Sequence, residues 1–219
     1  GPSARFPWSG PWASLRDCLA VRRDRLLTLA FAGNGFFYGV SSLAVLVINS
    51  LGVGQPGFSK TVTSLLSVSL MLGVAGGALL AGRMTHTGRW SHVSAPAALG
   101  MGLGLGLAAL APLLPEGARW WSLFAVYAAT GICGGVFLIP IASFLQVRPE
   151  PDRRGRVLAA ASFLAFVGIF ASGGLYELLR LSMPPSLMMA ACGGLCVAAA
   201  AWFRVLHRRA MAQEHGGGA

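Results

Sequence analysis

The chain has 219 residues, 55% of them apolar and only 11% charged, with a mean hydropathy of +0.65. A soluble domain is about a quarter charged, so this composition excludes a soluble globular domain and points to an all-α membrane protein. The net charge of +10 does not mark a nucleic-acid binder. The arginines flank apolar runs of spanning length instead of covering a folded polar surface, and anionic lipid headgroups are the partners they suit.

Taken in order, residues 1–25 are too polar to span. With Pro7, Trp8, Pro11 and Trp12 they read as a linker and interfacial lead-in, since tryptophan favours the headgroup zone. The opening Gly-Pro-Ser, without an initiator methionine, is read as a scar of expression or the cut edge of a longer protein. A first span is expected over Leu26–Leu51, ending at the 52–57 turn that contains Pro56. A second runs over Thr61–Gly82 with Ser59 as N-cap. The third covers Val93–Leu114 and stops at Pro115, and the fourth covers Trp120–Gln146 with a kink at Pro140. The fifth runs over Arg156–Leu179, and the sixth over Pro185–Val205 with its proline in the first turn. The expected organisation is therefore a six-helix domain over 26–206 and a polar, frayed tail over 207–219.

Alternating loops sort the basic residues. The N-terminal segment, the second–third loop (Arg83, Arg89), the fourth–fifth loop (Arg148, Arg153, Arg154, Arg156) and the tail hold all but three of the 17 lysines and arginines. Only Lys60, Arg119 and Arg180 fall on the other side. Positive residues stay in the cytoplasm, so both termini are expected there.

Small residues are patterned for helix contact. Gly73 and Gly77 make one GxxxG, and Gly100, Gly102, Gly104 and Gly106 make two overlapping ones. The last run sits inside an apolar helix with no preceding strand, which removes a dinucleotide reading. Cys18, Cys133, Cys192 and Cys196 form no CxxC pair, and no metal site or cofactor is expected. Polar residues within spans are the functional pointers. Asn34, Tyr38, Ser41 and Asn49 fall on one face of the first helix, within an arc of about 80°. Such a stripe faces either a solvated cavity or a neighbouring helix that it hydrogen-bonds. Glu177, with Arg180 one turn later, is either a coupling carboxylate or an i,i+3 pair snorkelling to the interface.

The segment Gly77-Ala-Leu-Leu-Ala-Gly-Arg83-Met-Thr-His-Thr-Gly88-Arg89 resembles the loop signature of the major facilitator superfamily. Gly82 stands where that signature usually has an aspartate. Thr63-Ser-Leu-Leu, Gly73 and the Leu-Leu-Ala-Gly-Arg ending resemble the eighth helix of the lysophospholipid transporter family, often fused to an acyltransferase. Ile139-Pro140-Ile-Ala-Ser-Phe-Leu-Gln146 and Arg154-Gly155-Arg156-Val157-Leu158-Ala159-Ala160 are similar to its tenth and eleventh helices. Relatives tend to place two asparagines after that run, where this chain has Ala161 and Ser162.

The resemblance implies the C-terminal six-helix half of a twelve-span transporter in the bacterial inner membrane. The partner would be a missing N-terminal half or a second copy. The substrate would be lysophospholipid or a similar small amphiphile, lined by Asn34, Tyr38, Ser41 and Asn49 with Tyr127, Thr130 and Ser162. Gly82, Arg83, Gly88, Arg89, Arg154, Gly155 and Arg156 would form the cytoplasmic loop motif, where arginines either attract a phosphate or merely set topology.

Two other functions compete. One is a non-transporting module that assembles with or regulates a partner such as an acyltransferase. The other is an intramembrane enzyme, which the residues disfavour. Ser172-Gly173 follows Phe170-Ala171 and so lacks the Gly-x-Ser-Gly of a rhomboid nucleophile. His86, His92, His207 and His215 lie in loops or the tail, and no span holds an aspartate.

Overall fold

The computed structural model describes residues 24–54, 59–84 and 90–216, and the lead-in over 1–23 lies outside them. Within these bounds the chain is all helical. α1 spans Arg25–Gly54, α2 Lys60–Met84, α3 Trp90–Ala109, α4 Glu116–Val147, α5 Pro151–Arg180 and α6 Pro185–Gly216. Each contains a stretch long and apolar enough to cross a membrane. The all-α, six-helix expectation therefore stands.

Side-chain caps start the first two helices. Asp24 Oδ1 accepts from Leu27 N at 3.1 Å, and Ser59 Oγ accepts from Val62 N at 3.2 Å, so orphan amides of the first turn are satisfied. Several boundaries differ from the sequence expectation: α1 runs three residues past Leu51, α3 and α4 start at Trp90 and Glu116 ahead of Val93 and Trp120, and three further shifts have a local cause. α3 ends at Ala109, and a short 3-10 turn over Ala111–Leu113 follows. Pro112 lacks an N–H and its ring opposes a preceding helical turn, although the run around it is apolar throughout. Arg119 then fixes the connection, donating from Nε to Ala111 O at 3.1 Å and from Nη2 to Leu114 O at 3.0 Å. α5 begins at Pro151, not Arg156, because proline suits the first helical turn. α6 continues to Gly216 instead of fraying after Val205, since Arg, Ala, Met, Gln and Glu all favour helix.

Each helix packs most extensively on one that is not its chain neighbour: α1 on α5, α2 on α4, and α3 on α6. In lipid, no hydrophobic effect drives helices together, and close backbone contact supplies the association. Glycines make that contact in all three pairs. A methyl at Gly73 would overlap the carbonyl of Ala128, and one at Gly77 that of Ile132. Reciprocally, methyls at Gly131 and Gly135 would overlap the carbonyls of Leu70 and Val74. On α3 the two overlapping motifs serve different neighbours. Gly100 and Gly104 face Cys133 and Thr130 of α4, whereas Gly102 faces Gly193 and Val197 of α6. A two-residue offset is 200° of helix, so the interleaved motifs build two faces.

The aromatic centre of the core joins α1, α4 and α6. Phe137, fully buried, stacks on Phe37 with ring centroids 6.2 Å apart and meets Phe203 edge-on at 5.7 Å. Outward faces are apolar as well, with Leu72, Leu79, Phe166 and Phe170 more than 60% exposed. Lipid or a further membrane protein is the natural solvent for such faces.

Candidate functional site

A pocket of about 370 Å³ opens between α1, the end of α4 and the first half of α5. That volume is near the low end of the range for small-molecule sites, about 300–1,000 Å³. Asn34 and Tyr38 enter from α1, one turn apart and so on one face. Ala142, Leu145 and Gln146 come from α4. α5 contributes Leu158, Ala161, Ser162, Ala165, Phe166 and Ile169, a stripe at helical spacing.

The walls meet because α1 and α5 touch by backbone just beyond the pocket. A methyl at Gly168 would lie 2.6 Å from Gly35 O, and one at Gly39 would lie 3.3 Å from Gly168 O. Nearer the arginine-rich end, Asn34 Nδ2 donates to the backbone carbonyl of Ala161 at 3.1 Å. At that end Arg148, the residue after α4, reaches back to the start of α1. Its Nε donates to Asp24 Oδ2 at 3.0 Å, and its guanidinium lies 5.8 Å from the Phe144 ring centroid. Asp24 thus caps α1 with one oxygen and ties down the end of α4 with the other.

The pocket is chemically two-sided. Asn34, Tyr38, Gln146 and Ser162 offer neutral polar groups, the other seven lining residues are apolar, and none of the eleven is charged. Phe166, 70% exposed, and Ile169 carry the apolar wall onto the outer surface of α5. One turn before Leu158, Arg154 continues the lining stripe toward the helix start, whereas Arg156 lies about 200° away around the helix.

The seven candidate substrate residues do not converge. Asn34, Tyr38 and Ser162 line the pocket. Ser41 is half-buried and Asn49 exposed, so the α1 stripe meets different surroundings along its length. Beyond the α5 contact, α1 runs toward α2, where a methyl at Gly52 would overlap the side chain of Thr63. Thr130 is buried, its Oγ1 donating to Val126 O at 2.7 Å and facing Gly104. Tyr127 is fully buried and belongs to the core cluster.

Of the loop motif, Gly82, Arg83, Arg154, Gly155 and Arg156 are exposed, and Gly88 and Arg89 lie outside the described residues. Glu177 and Arg180 form an exposed i,i+3 ion pair. Gln146 and Phe166 were not singled out from sequence. For Gln146 the signal was present: it is a polar residue ending an apolar run. Ala161 and Ser162, where the chain departs from the resembled pattern, both line the pocket.

Six apolar helices in non-neighbour pairs, with a side-opening amphipathic pocket, are the architecture of a multi-pass membrane protein. The family assignment follows from the sequence match. The Major Facilitator Superfamily model matches residues 2–173, and the chain belongs to that family of membrane transporters. Searches of the curated proteins and of the solved structures return no match.

Proposed function

We propose that the chain is one half of a transporter for a single-chain amphiphile, a lysophospholipid or a lipid of similar form. The observation that carries this reading is the two-sidedness of the pocket. A neutral polar wall suits the glycerol and ester region of such a lipid, and the apolar wall running out along Phe166 and Ile169 suits its acyl chain. In this reading Arg154, exposed one turn along the same stripe, draws the phosphate by a charge-assisted hydrogen bond. Its neighbour Arg153 is engaged with Glu150 at 3.7 Å. The arginine-rich end faces the cytoplasm of a bacterial inner membrane in this reading, because basic residues are retained on that side.

Transporters of this superfamily place their site between two six-helix repeats. A second half, either a separate N-terminal domain or another copy, would cover the open flank of the pocket. The test is transfer of a labelled lysophospholipid across proteoliposomes that hold the chain paired with such a half. Transfer should exceed that of protein-free vesicles and fall about tenfold in Arg154→Ala, from loss of one charge-assisted contact. Arg156→Ala, on the opposite face of α5, should leave it within about twofold. Absence of transfer, with the lipid still binding and stabilising the protein, would favour a non-transporting module that serves a partner.

A further inference from the structure

We propose that the side-chain carbonyl of Asn34 is the specificity-determining acceptor of this pocket. It reads a hydroxyl hydrogen on the polar segment of the ligand, and so separates a lipid with a free hydroxyl from the same lipid with that hydroxyl removed or capped. The inference rests on the amphiphile reading above.

The orientation of the Asn34 amide is fixed by its neighbour. The carbonyl of Ala161 can only accept, so the group 3.1 Å from it is the NH2 of Asn34 and the other end is the oxygen. That oxygen has no hydrogen-bond partner among the described residues. It is not sealed off either. Among the described residues, the only side-chain polar atom both sealed and unpartnered is the Tyr127 hydroxyl. Asn34 lines the pocket and is itself 7% exposed, so the pocket is the open space its oxygen borders.

A pinned acceptor makes a demand that the other polar groups do not. Tyr38, Ser162 and Gln146 each offer both a donor and an acceptor, all three are exposed, and they adjust to whatever enters. The Asn34 oxygen is held by a helix–helix bond and takes only a donor. The amide's second N–H adds a donor beside it. A hydroxyl, which both gives and takes, matches this pair of groups, whereas an ether oxygen can only take. No charged residue lines the pocket to outweigh that preference. Sites that hydrogen-bond a hydroxyl reject analogues lacking it more strongly than apolar sites reject a changed methylene, because the buried partner is left unpaired.

The experiment uses native mass spectrometry to titrate the detergent-solubilised full chain with three probes. These are a 1-acyl lysophosphatidylethanolamine, its 2-deoxy analogue and its 2-methoxy analogue. Wild type should bind both analogues about tenfold more weakly than the hydroxyl compound, the effect of one lost hydrogen bond in a buried site. Asn34→Leu should bind all three alike, and Ser162→Ala should keep the discrimination. Equal binding of the three probes by wild type overturns the inference and leaves the amphiphile reading standing. Loss of discrimination in Ser162→Ala with retention in Asn34→Leu overturns it too, assigning the role to Ser162. If none of the probes binds, the amphiphile reading fails and this inference with it. The wild-type comparison needs no variant, so a misfolded Asn34→Leu chain does not spare the proposal.

Discussion

Tyr127 carries a hydroxyl into the packed interior and has no hydrogen-bond partner there among the described residues. A buried, unsatisfied polar group costs about 1–3 kcal/mol, and phenylalanine keeps the ring while removing the oxygen. Tyr127→Phe should therefore raise the thermal stability of the detergent-solubilised chain, by roughly 1 kcal/mol on the same scale. Ligand binding should be unchanged, because the residue does not line the pocket. A melting curve of wild type and variant, each with and without lysophospholipid, checks both halves. A destabilised Tyr127→Phe, or one that no longer responds to lipid, would show that the hydroxyl has a partner in the working protein. The contrast with Asn34 explains what sequence could convey at this scale. A polar residue in an apolar run looks the same whether it lines a cavity, bonds a neighbouring helix or sits stranded in the core. Asn34 does the first two and Tyr127 the third, and their distinction needs the helix partners.

At the scale of the helix, the glycine seam between α2 and α4 is the most constrained contact. At Gly131 a methyl overlaps the Leu70 carbonyl, and relief requires the two backbones to separate. Gly76, on the same helix as the seam glycines Gly73 and Gly77, would meet nothing within 4 Å. Gly131→Ala should destabilise by about 2 kcal/mol, within the usual range for overpacking. Gly76→Ala should be neutral or gain up to about 1 kcal/mol from helix propensity. Denaturation of the two variants side by side tests the assignment, and equal effects would contradict it.

The apolar runs made all six spans legible, and the spacing of Gly73 and Gly77 marked one side of this seam. The other side, Gly131 and Gly135, has the same spacing but was not singled out, because nothing local says which helix a glycine faces. Pairing of helices distant in the chain is a property of the bundle. The early end of α3 was missed for a similar reason: Pro112 lies in a run of leucine and alanine that reads as uninterrupted span.

For the whole molecule, the pairing of α1 with α5 sets one flank of the pocket, and the exposed apolar surface of α5 leaves that flank open. The arginine asymmetry gives an orientation that labelling can check. Single cysteines near Arg154 should be shielded from an impermeant external reagent and those near Glu116 labelled, and the reverse pattern would invert the topology. Under the proposed function this bundle moves a single-chain amphiphile once a second half closes the pocket. The most direct test is the rate of lysophospholipid transfer in proteoliposomes as the number of chains per vesicle is varied, with and without a co-reconstituted second half. Vesicles with a single chain should transfer no faster than protein-free ones. Activity should appear only with the second half, or rise as the square of chain number if two copies pair. A rate linear in chain number down to one chain per vesicle, or no transfer under any of these conditions, would overturn the half-transporter proposal.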